Sequence, residues 1–308
     1  MALLDQLNEA IFLTDGGAET SMIFHQGIDL PHFALFDQLK DEAGTARIRS
    51  YYDNYMTVAR NHDYGFILES PTWRASGDWG KLLGHDADAL DALNVKAVDL
   101  LHSIRDENDD LNMVISGCIG PRGDGYIVGD VMTIAQATDF HSAQVNSLFS
   151  AGVDMVCGQT MTYVEEVVGV VEAAKAAGVP VAIAFTVETD GCLPSGQSLE
   201  TAIKQVDIQT DIGPLYYMIN CAHPEHFNHV LVAGSDWSSR IKGLRCNAST
   251  CSHAELDNAT ELDDGNPQEW GAYIADIVSY HPYISVLGGC CGTDYRHVAA
   301  VAAAIKGK

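Results

Sequence analysis

VDMVCGQTMTYVEEVVGVVEAAKAAGVPVAIAFTVE, residues 153–188, contains one complete structural repeat and decides the fold. It begins with an apolar run at 153–160 and ends with a second one at 179–188. Between them, Thr162 and Glu165 have capping-box spacing, and Gly178 followed by Pro180 marks a helix end. Near-continuous apolar strands joined through a helix are typical of a parallel sheet that is buried on both faces. The stretch therefore predicts a β-α-β unit.

Six further runs of the same kind flank this unit, each ending in small or polar residues. They are IFLTDGG (11–17), YGFILES (64–70), LNMVISGCIG (111–120), LYYMINCA (215–222), IKGLRCNA (241–248) and ISVLGGCC (284–291). Thr133 with Gln136, and Asn266 followed by Pro267, mark further helix starts between the runs. Eight strands that alternate with helices fit a closed barrel better than an open sheet. The sequence predicts one α/β domain over residues 1–308, a (β/α)8 TIM barrel whose site lies at the C-terminal face of the strands.

The composition narrows the class of protein. Hydrophobic residues make up 47% of the 308 residues and charged residues 19%, which is enough apolar material for one large core. Forty-two acidic against 17 basic side chains give a formal charge of −25, which disfavours nucleic acid and anionic membrane surfaces as partners. The segment Met1–Leu13 lacks the features of a secretory signal, and no apolar run reaches spanning length. We therefore expect a cytoplasmic protein whose eight cysteines are not a disulfide scaffold.

Three cysteines lie at predicted strand ends. Cys221 closes the sixth strand, and Cys290 and Cys291 close the eighth, so a barrel brings all three to one mouth. Zinc binds thiolates tetrahedrally, and a catalytic site with three protein ligands leaves its fourth position open. The glycines around the cysteine pair permit a distorted backbone that directs both sulfur atoms to one ion. The pattern predicts one zinc ion per chain, held by these three cysteines.

Three thiolates on one zinc give a net charge of −1, which suits the binding of a substrate thiol better than the activation of water. Metal coordination deprotonates a thiol whose ordinary pKa is about 8.5. The resulting sulfur nucleophile could attack an electrophilic methyl group that is held in line with it. The cysteine pattern therefore indicates methyl transfer to a small thiol.

The sequence resembles the homocysteine S-methyltransferase family almost from end to end. The matching motifs are TDGGAET (14–20), LESPTWRAS (68–76), GCIGPRGD (117–124), FTVETDGCLPSGQSL (185–199), INCAHPEHF (219–227) and GGCCGT (288–293). The resemblance implies that Cys221, Cys290 and Cys291 hold zinc and that homocysteine supplies the fourth ligand. It implies formation of methionine from homocysteine or a close analogue. S-methylmethionine or S-adenosylmethionine is favoured as the donor, because no chain length is available for folate or cobalamin modules, and betaine stays possible.

The resemblance also implies a set of substrate contacts around the amino and carboxylate groups of the acceptor. These candidates are Asp15, Gly16, Gly17, Glu69, Ser70, Thr72, Gln159, Glu188 and Asn220. Gln159 departs from the family, which usually has an acid there that helps to hold the substrate ammonium. Either Glu188 or Glu69 compensates, or the acceptor differs from homocysteine. Arg74 stands where some members carry a tyrosine; it meets either a substrate carboxylate or a surface acid.

Two alternative functions stay open. One is a zinc hydrolase or lyase on the same barrel, which would ordinarily use histidine and carboxylate ligands and a metal-bound water. The other is a non-catalytic protein that binds a thiol or zinc. His223 is disfavoured as a further zinc ligand, because Pro224 is typical of a first helical position. The expected partners are a small-molecule thiol acceptor and a methyl donor, with a homo-oligomer as a possibility; the acidic segment 254–269 is either a solvated loop or a partner surface.

Overall fold

The computed structural model describes residue 4 and residues 10–306. Eight parallel strands in this part of the chain form a closed barrel in sequence order, and β1 pairs with β8 to complete it. The strands are β1 (Phe12–Leu13), β2 (Gly65–Glu69), β3 (Met113–Ile119), β4 (Met155–Met161), β5 (Val181–Phe185), β6 (Tyr217–Asn220), β7 (Ile241–Cys246) and β8 (Val286–Gly289). The predicted (β/α)8 barrel is confirmed, with strands shorter than the apolar runs. Most of the N-terminal segment Met1–Leu13 lies outside the described residues.

Helices alternate with the strands and cover the outside of the barrel. They are α1 (Ala18–Thr20), α2 (Glu42–His62), α3 (Gly77–Leu82), α4 (Ala87–Glu107), α5 (Ile134–Ser150), α6 (Val164–Ala177), α7 (Leu199–Thr210), α8 (Pro224–Phe227), α9 (His253–Asp257), α10 (Pro267–Tyr280) and α11 (Tyr295–Lys306). Short 3-10 or π-helical segments lie at Ser21–His25, Pro31–Phe33, Leu35–Lys40, Asn228–Val230 and Ser238–Arg240. Among the described helices, none combines the length and the apolar composition that crossing a membrane requires.

Three of the four helix signals in the sequence are confirmed. Thr133 and Gln136 form a capping box on α5, the Asn266 side chain caps α10, and Gly178 ends α6 in the left-handed conformation. The prediction for Thr162 and Glu165 was wrong. Strand β4 runs on to Met161, so α6 starts one residue later than predicted, after Tyr163, with no side-chain cap.

The alternation of side chains along the strands builds the layer that carries the site. Ile67 of β2 and Cys157 of β4 belong to a cluster of apolar side chains inside the barrel. Side chains two positions further along a strand point the same way, so Glu69 and Gln159 face the same interior, nearer to the carboxyl ends. Arg245 occupies the corresponding place on β7, two residues after Gly243, where an added Cβ would overlap the Met218 side chain inside the barrel. A polar layer therefore lies above the apolar interior.

Candidate active site

The carboxyl ends of the strands enclose a cavity of about 350 Å³. Nine of the predicted site residues line it: Asp15, Gly16, Gly17, Glu69, Ser70, Gln159, Cys221, Cys290 and Cys291. Three others, Thr72, Glu188 and Asn220, do not. Its lining contains two chemically different groups of side chains. We call Cys221, Cys290 and Cys291 the sulfur corner, and we call Asp15, Glu69 and Arg245 the ion-pair floor.

The three Sγ atoms of the sulfur corner lie within 4.8 Å of one another. Cys221 and Cys290 are in direct sulfur-to-sulfur contact as a disulfide, with their Cα atoms 5.4 Å apart. Two thiolates on a tetrahedral zinc with bonds of about 2.3 Å are separated by roughly 3.8 Å. Small side-chain movements after reduction would bring the three sulfurs to that spacing. Among the described residues, this is the one group of three or more Cys, His, Asp or Glu side chains compact enough to hold a metal ion.

Neighbouring strands fix the direction of Cys221. Its backbone is left-handed, with φ at 53°, a conformation that residues other than glycine seldom adopt. The backbone N–H of Cys221 donates to the carbonyl of Arg245 at 3.1 Å. Its carbonyl accepts bonds from Asn247 Nδ2 at 3.0 Å and from His253 Nε2 at 2.7 Å. These contacts hold the unusual conformation and direct the sulfur into the cavity.

Glycines let the backbone of β8 turn sharply at the cysteine pair, as predicted. Gly292 has φ at 80°, which places it in the left-handed region. At Gly289 an added Cβ would overlap the Thr293 side chain, and at Gly17 it would lie 2.6 Å from the carbonyl oxygen of Cys290. Larger residues at these positions would push apart the segments that carry the sulfur corner and the DGG motif of β1.

The chemistry of the sulfur corner fits a metal cation. Burial raises the pKa of the Cys291 thiol to about 11, and the Tyr126 hydroxyl opposes this rise only in part. A buried thiol with such a pKa stays protonated at neutral pH unless a cation stabilises its thiolate. The donor set consists of sulfur alone, which suits zinc and other thiophilic ions.

Tyr126 reaches the sulfur corner from the loop between β3 and α5. Its hydroxyl donates to Cys291 Sγ at 3.6 Å. Its ring stacks on the His253 ring, with 3.9 Å between the ring centroids and an interplanar angle of 9°. Because His253 also holds the Cys221 carbonyl, one stacked pair contacts two of the three cysteines.

Arg245 organises the ion-pair floor from strand β7. Its Nη2 lies 2.6 Å from Asp15 Oδ1, and its Nη1 lies 3.6 Å from Glu69 Oε1. All three side chains are buried, at 4–5% exposure. The Tyr51 hydroxyl also donates to Asp15, at 3.1 Å. Asp15 is therefore engaged by a cation that belongs to the protein itself.

Burial changes the protonation of these groups. It raises the pKa of Glu69 to about 7, since desolvation outweighs the Arg245 charge. Burial also raises the pKa of Asp15, against the opposing effects of Arg245 and Tyr51. For Arg245, burial disfavours the cation, but Asp15 and Glu69 together raise its pKa. The Arg245 guanidinium therefore stays charged. The Glu69 carboxyl, with a pKa of about 7, is partly protonated at neutral pH.

The three predicted site residues that do not line the cavity make contacts with neighbouring residues of the protein. Thr72 Oγ1 donates to the Cys118 carbonyl at 2.7 Å. Asn220 accepts a bond from the Thr160 backbone at 2.8 Å and lies 4.0 Å from Cys290 Sγ. Glu188 lies 3.0 Å from His253 Nδ1 and so orients that ring. Thr72, Asn220 and Glu188 therefore do not line the cavity, because each side chain is turned toward a neighbouring segment, and their contact with substrate stays a prediction.

Acidic and aromatic side chains surround the mouth of the cavity. Glu19, Asp124 and Asp257 all line it. Burial raises the pKa of Glu19 to about 7, and burial together with the Asp124 charge raises that of Asp257. Trp73 and the Tyr126 ring complete this rim. Asp257 belongs to the acidic segment 254–269, so part of that segment faces the cavity.

Arg74 also lines the mouth and ties its loops together. Its guanidinium lies 3.9 Å from the centroid of the Trp79 ring and 4.9 Å from that of the Trp73 ring. It donates to the His32 carbonyl, and its Nη2 lies 4.0 Å from Asp124 Oδ2. The sequence left two partners open for Arg74, a substrate carboxylate or an acidic side chain of the protein. Asp124 is such an acidic side chain, and both Arg74 and Asp124 line the cavity.

His223 caps helix α8, and Pro224 is the first residue of that helix, as predicted. The His223 Nδ1 atom accepts a bond from the Glu225 backbone N–H at 3.3 Å. Burial lowers the pKa of His223 to about 4. The imidazole is therefore neutral, with one nitrogen used for capping.

Sequence reasoning missed Arg245, Tyr126, His253 and Glu19. A signal existed for Arg245, because an arginine inside the apolar run IKGLRCNA requires a buried partner. Glu19 is part of the TDGGAET motif, but its turn into the mouth depends on the helical turn that follows β1. Tyr126 lies in the long loop after β3 and His253 begins the short helix α9 after β7, in segments where the sequence shows no periodicity that would place a side chain.

Comparison with known proteins agrees with this geometry. The family model described as homocysteine S-methyltransferase matches residues 12–305. The metallated form of the homocysteine methyltransferase MmuM from Escherichia coli has a TM-score of 0.75 at 18% identity, with 96% of each chain covered. The oxidised form of MmuM gives 0.76 at 19% identity, with 98% of each chain covered. At such identities the structural similarity shows the fold alone, whereas the sequence match covers nearly the whole chain. The chain therefore belongs to the homocysteine S-methyltransferase family.

Proposed function

We propose that the chain, residues 1–308, is one catalytic unit that transfers a methyl group from a small sulfonium donor to the thiol of homocysteine or a close analogue, and that it requires one zinc ion. The observation that carries the proposal is the convergence of three cysteines on the wall of a cavity whose lining also contains a buried charged cluster. Membership of the homocysteine S-methyltransferase family and the metallated state of the similar MmuM structure support the acceptor and the metal.

Cys221, Cys290 and Cys291 would hold the ion. When bound, zinc would deprotonate the acceptor thiol and keep it as a thiolate at neutral pH. The new bond joins the acceptor sulfur to the methyl carbon, while the donor's bond to that methyl group breaks and its electrons stay on the donor sulfur. The acceptor's thiol proton is released. The cavity walls contribute by holding the two sulfur atoms in line with the methyl carbon and by excluding water.

The rim of the cavity supports a cationic donor. Asp124 and Asp257, together with the ionised fraction of Glu19, whose pKa is about 7, create a negative potential in the cavity wall that attracts a sulfonium ion. The faces of Trp73 and Tyr126 offer cation–π contacts. Ligand pockets range over roughly 300–1,000 Å³. A cavity of about 350 Å³ that must also hold the acceptor favours S-methylmethionine over the larger S-adenosylmethionine, with betaine as the third candidate.

The ligand set supports a thiol-binding metal over a hydrolase. The metal-binding cluster in the described part of the chain contains three cysteines and no histidine or carboxylate. Zinc hydrolases ordinarily use the latter ligands to activate water. The proposed site also needs reduced thiols, because the contact between Cys221 and Cys290 uses two of the three ligands. A reducing compartment such as the cytoplasm maintains that state.

The test is methionine formation by reduced, zinc-loaded protein with homocysteine and each of three donors: S-methylmethionine, S-adenosylmethionine and betaine. We expect turnover with S-methylmethionine that a chelator abolishes and added zinc restores. The matched control is the same protein kept oxidised, which should bind no stoichiometric zinc. Tight zinc binding with no methyl transfer from any of the donors would overturn the catalytic assignment and leave a thiol-binding or zinc-binding protein.

A further inference from the structure

The charges of the ion-pair floor indicate which polar group of the methyl acceptor the cavity can bind. Arg245 is a buried cation in the wall of the cavity, and it neutralises Asp15 through a contact of 2.6 Å. This guanidinium occupies the place beside Asp15 that a substrate ammonium would otherwise take. A second cation beside Arg245 would be repelled inside a region of low dielectric constant.

Three buried polar atoms around this floor make no hydrogen bond of normal geometry: Arg245 Nη1, which lies 3.6 Å from Glu69 Oε1, Gln159 Nε2, whose side chain lowers the Glu69 pKa, and Glu69 Oε2. All three residues line the cavity. Leaving such groups unpaired costs about 1–3 kcal/mol each, so they indicate a ligand with matching polar atoms. Two of the three are obligatory donors, and the Glu69 carboxyl, with its pKa of about 7, can also donate when it is protonated.

A carboxylate matches this set and an ammonium does not. Guanidinium and carboxylate pair with charge-assisted hydrogen bonds, and a primary amide adds a further donor. An ammonium has donors alone, so among these three atoms only Glu69 Oε2 could accept from it, and the Glu69 carboxyl already lies 3.6 Å from the Arg245 cation. Gln159 supplies an amide where a carboxylate would have attracted the ammonium.

We infer that Arg245 and Gln159 select the methyl acceptor by a carboxylate at the end remote from its thiol, and that an ammonium group on the acceptor is not required. The inference rests on the proposed function, since it assigns the acceptor class of the same cavity. The acceptor class is a short thiol acid, of which homocysteine is one member.

Three thiols with the same chain length test the inference in the zinc-loaded protein. Homocysteine carries both groups, 4-mercaptobutanoate lacks the amino group, and 3-mercaptopropylamine lacks the carboxylate. We expect kcat/KM for 4-mercaptobutanoate to lie within about tenfold of that for homocysteine, because removal of the ammonium leaves no buried partner unpaired. For 3-mercaptopropylamine we expect a loss of about 100-fold, the size of a lost hydrogen bond to a charged group.

A substitution separates selectivity from stability. Gln159→Glu keeps the side-chain length and adds a carboxylate to the floor. It should raise the preference for homocysteine over 4-mercaptobutanoate by about tenfold, through attraction of the ammonium and repulsion of the acid. Gln268→Glu is the matched control, because Gln268 is exposed in the first turn of α10 and the same charge is added away from the cavity. It should leave the preference unchanged.

The outcomes are distinguishable. A strict requirement for the amino group, with 3-mercaptopropylamine methylated better than 4-mercaptobutanoate, overturns the inference and leaves methyl transfer intact. If no thiol is methylated, the proposed function fails, and calorimetric titration of the same three thiols into the zinc-loaded protein decides the inference instead. Binding of 4-mercaptobutanoate at least as tight as that of 3-mercaptopropylamine supports carboxylate recognition, and the reverse order contradicts it.

Discussion

The sulfur corner and the ion-pair floor line one cavity, yet they are built in different ways. The sulfur corner takes one residue from the end of β6 and two from the turn after β8, and each could be identified from its type and its place at a strand end. The ion-pair floor joins charges from β1, β2 and β7 across the barrel. The comparison teaches that a metal site is determined by residue type, whereas a recognition site depends on which charges meet in space.

The largest effect is expected from a substitution in the sulfur corner. Cys291→Ser deletes one of three soft ligands, and we expect the reduced protein to lose stoichiometric zinc binding and all methyl transfer, because a hydroxyl is a poor zinc ligand. Metal content after dialysis and turnover with homocysteine measure it. Cys192→Ser is the control, since Cys192 lies in the loop after β5 and away from the cluster. Full zinc occupancy in Cys291→Ser would rule out this cysteine as a ligand.

The next largest effect is expected from a substitution that removes the cation of the ion-pair floor. Arg245→Met leaves two buried carboxyl groups without their cation, and removing one partner of a buried pair costs about 3–5 kcal/mol in the free energy of unfolding. Chemical denaturation of the metal-free, reduced protein measures it. Arg60→Met removes an exposed pair with Asp110 and should change stability far less. Equal effects of the two substitutions would show that the Arg245 contacts contribute no more than a surface pair.

The smallest expected effect concerns His223, which lies two residues after Cys221 of the sulfur corner. The pKa of His223 is lowered from 6.5 to about 4, so below pH 6.5 the unfolded chain takes up a proton that the folded protein does not. Stability is complete above pH 6.5 and falls as the pH drops toward 4. His223→Asn keeps a helix-capping side chain and removes this loss, about 1.5 kcal/mol between pH 6.5 and 5. Denaturation of the reduced, metal-free protein at the two pH values measures it.

The same variant tests whether the metal site is made of sulfur alone. Because the His223 Nδ1 atom is used in capping α8, His223→Asn should leave zinc affinity unchanged in a competition with a chelator. A fall in affinity comparable to that of a cysteine substitution would make His223 a ligand.

The barrel and the sulfur corner could be predicted from the sequence because both depend on local patterns. An apolar run such as YGFILES predicts a strand without knowledge of the strands it pairs with. The glycines of GGCC allow a sharp backbone turn at the cysteine pair. The ion-pair floor could not be predicted in the same way. Asp15 precedes Arg245 by 230 residues, and their contact depends on the closure of the barrel and on the length of the arginine side chain.

The loop residues illustrate a second limit. Tyr126 reaches Cys291 across a separation of 165 residues, from a segment whose path depends on backbone turns and not on hydrophobic periodicity. Glu188 illustrates the same limit. Its position after β5 was expected, but the loop after β7 brings His253 close enough to pair with it.

The division of the cavity among different strands has an evolutionary consequence. The sulfur corner depends on β6 and β8, whereas Gln159 belongs to β4 and Arg245 to β7. On the proposed function, substitutions on β4 and β7 can therefore alter substrate range without altering the proposed metal ligands. A lineage that keeps its chemistry can thus explore new acceptors one strand at a time, and pairs of homologues that differ at positions 159 and 245 would be the natural place to look for such divergence.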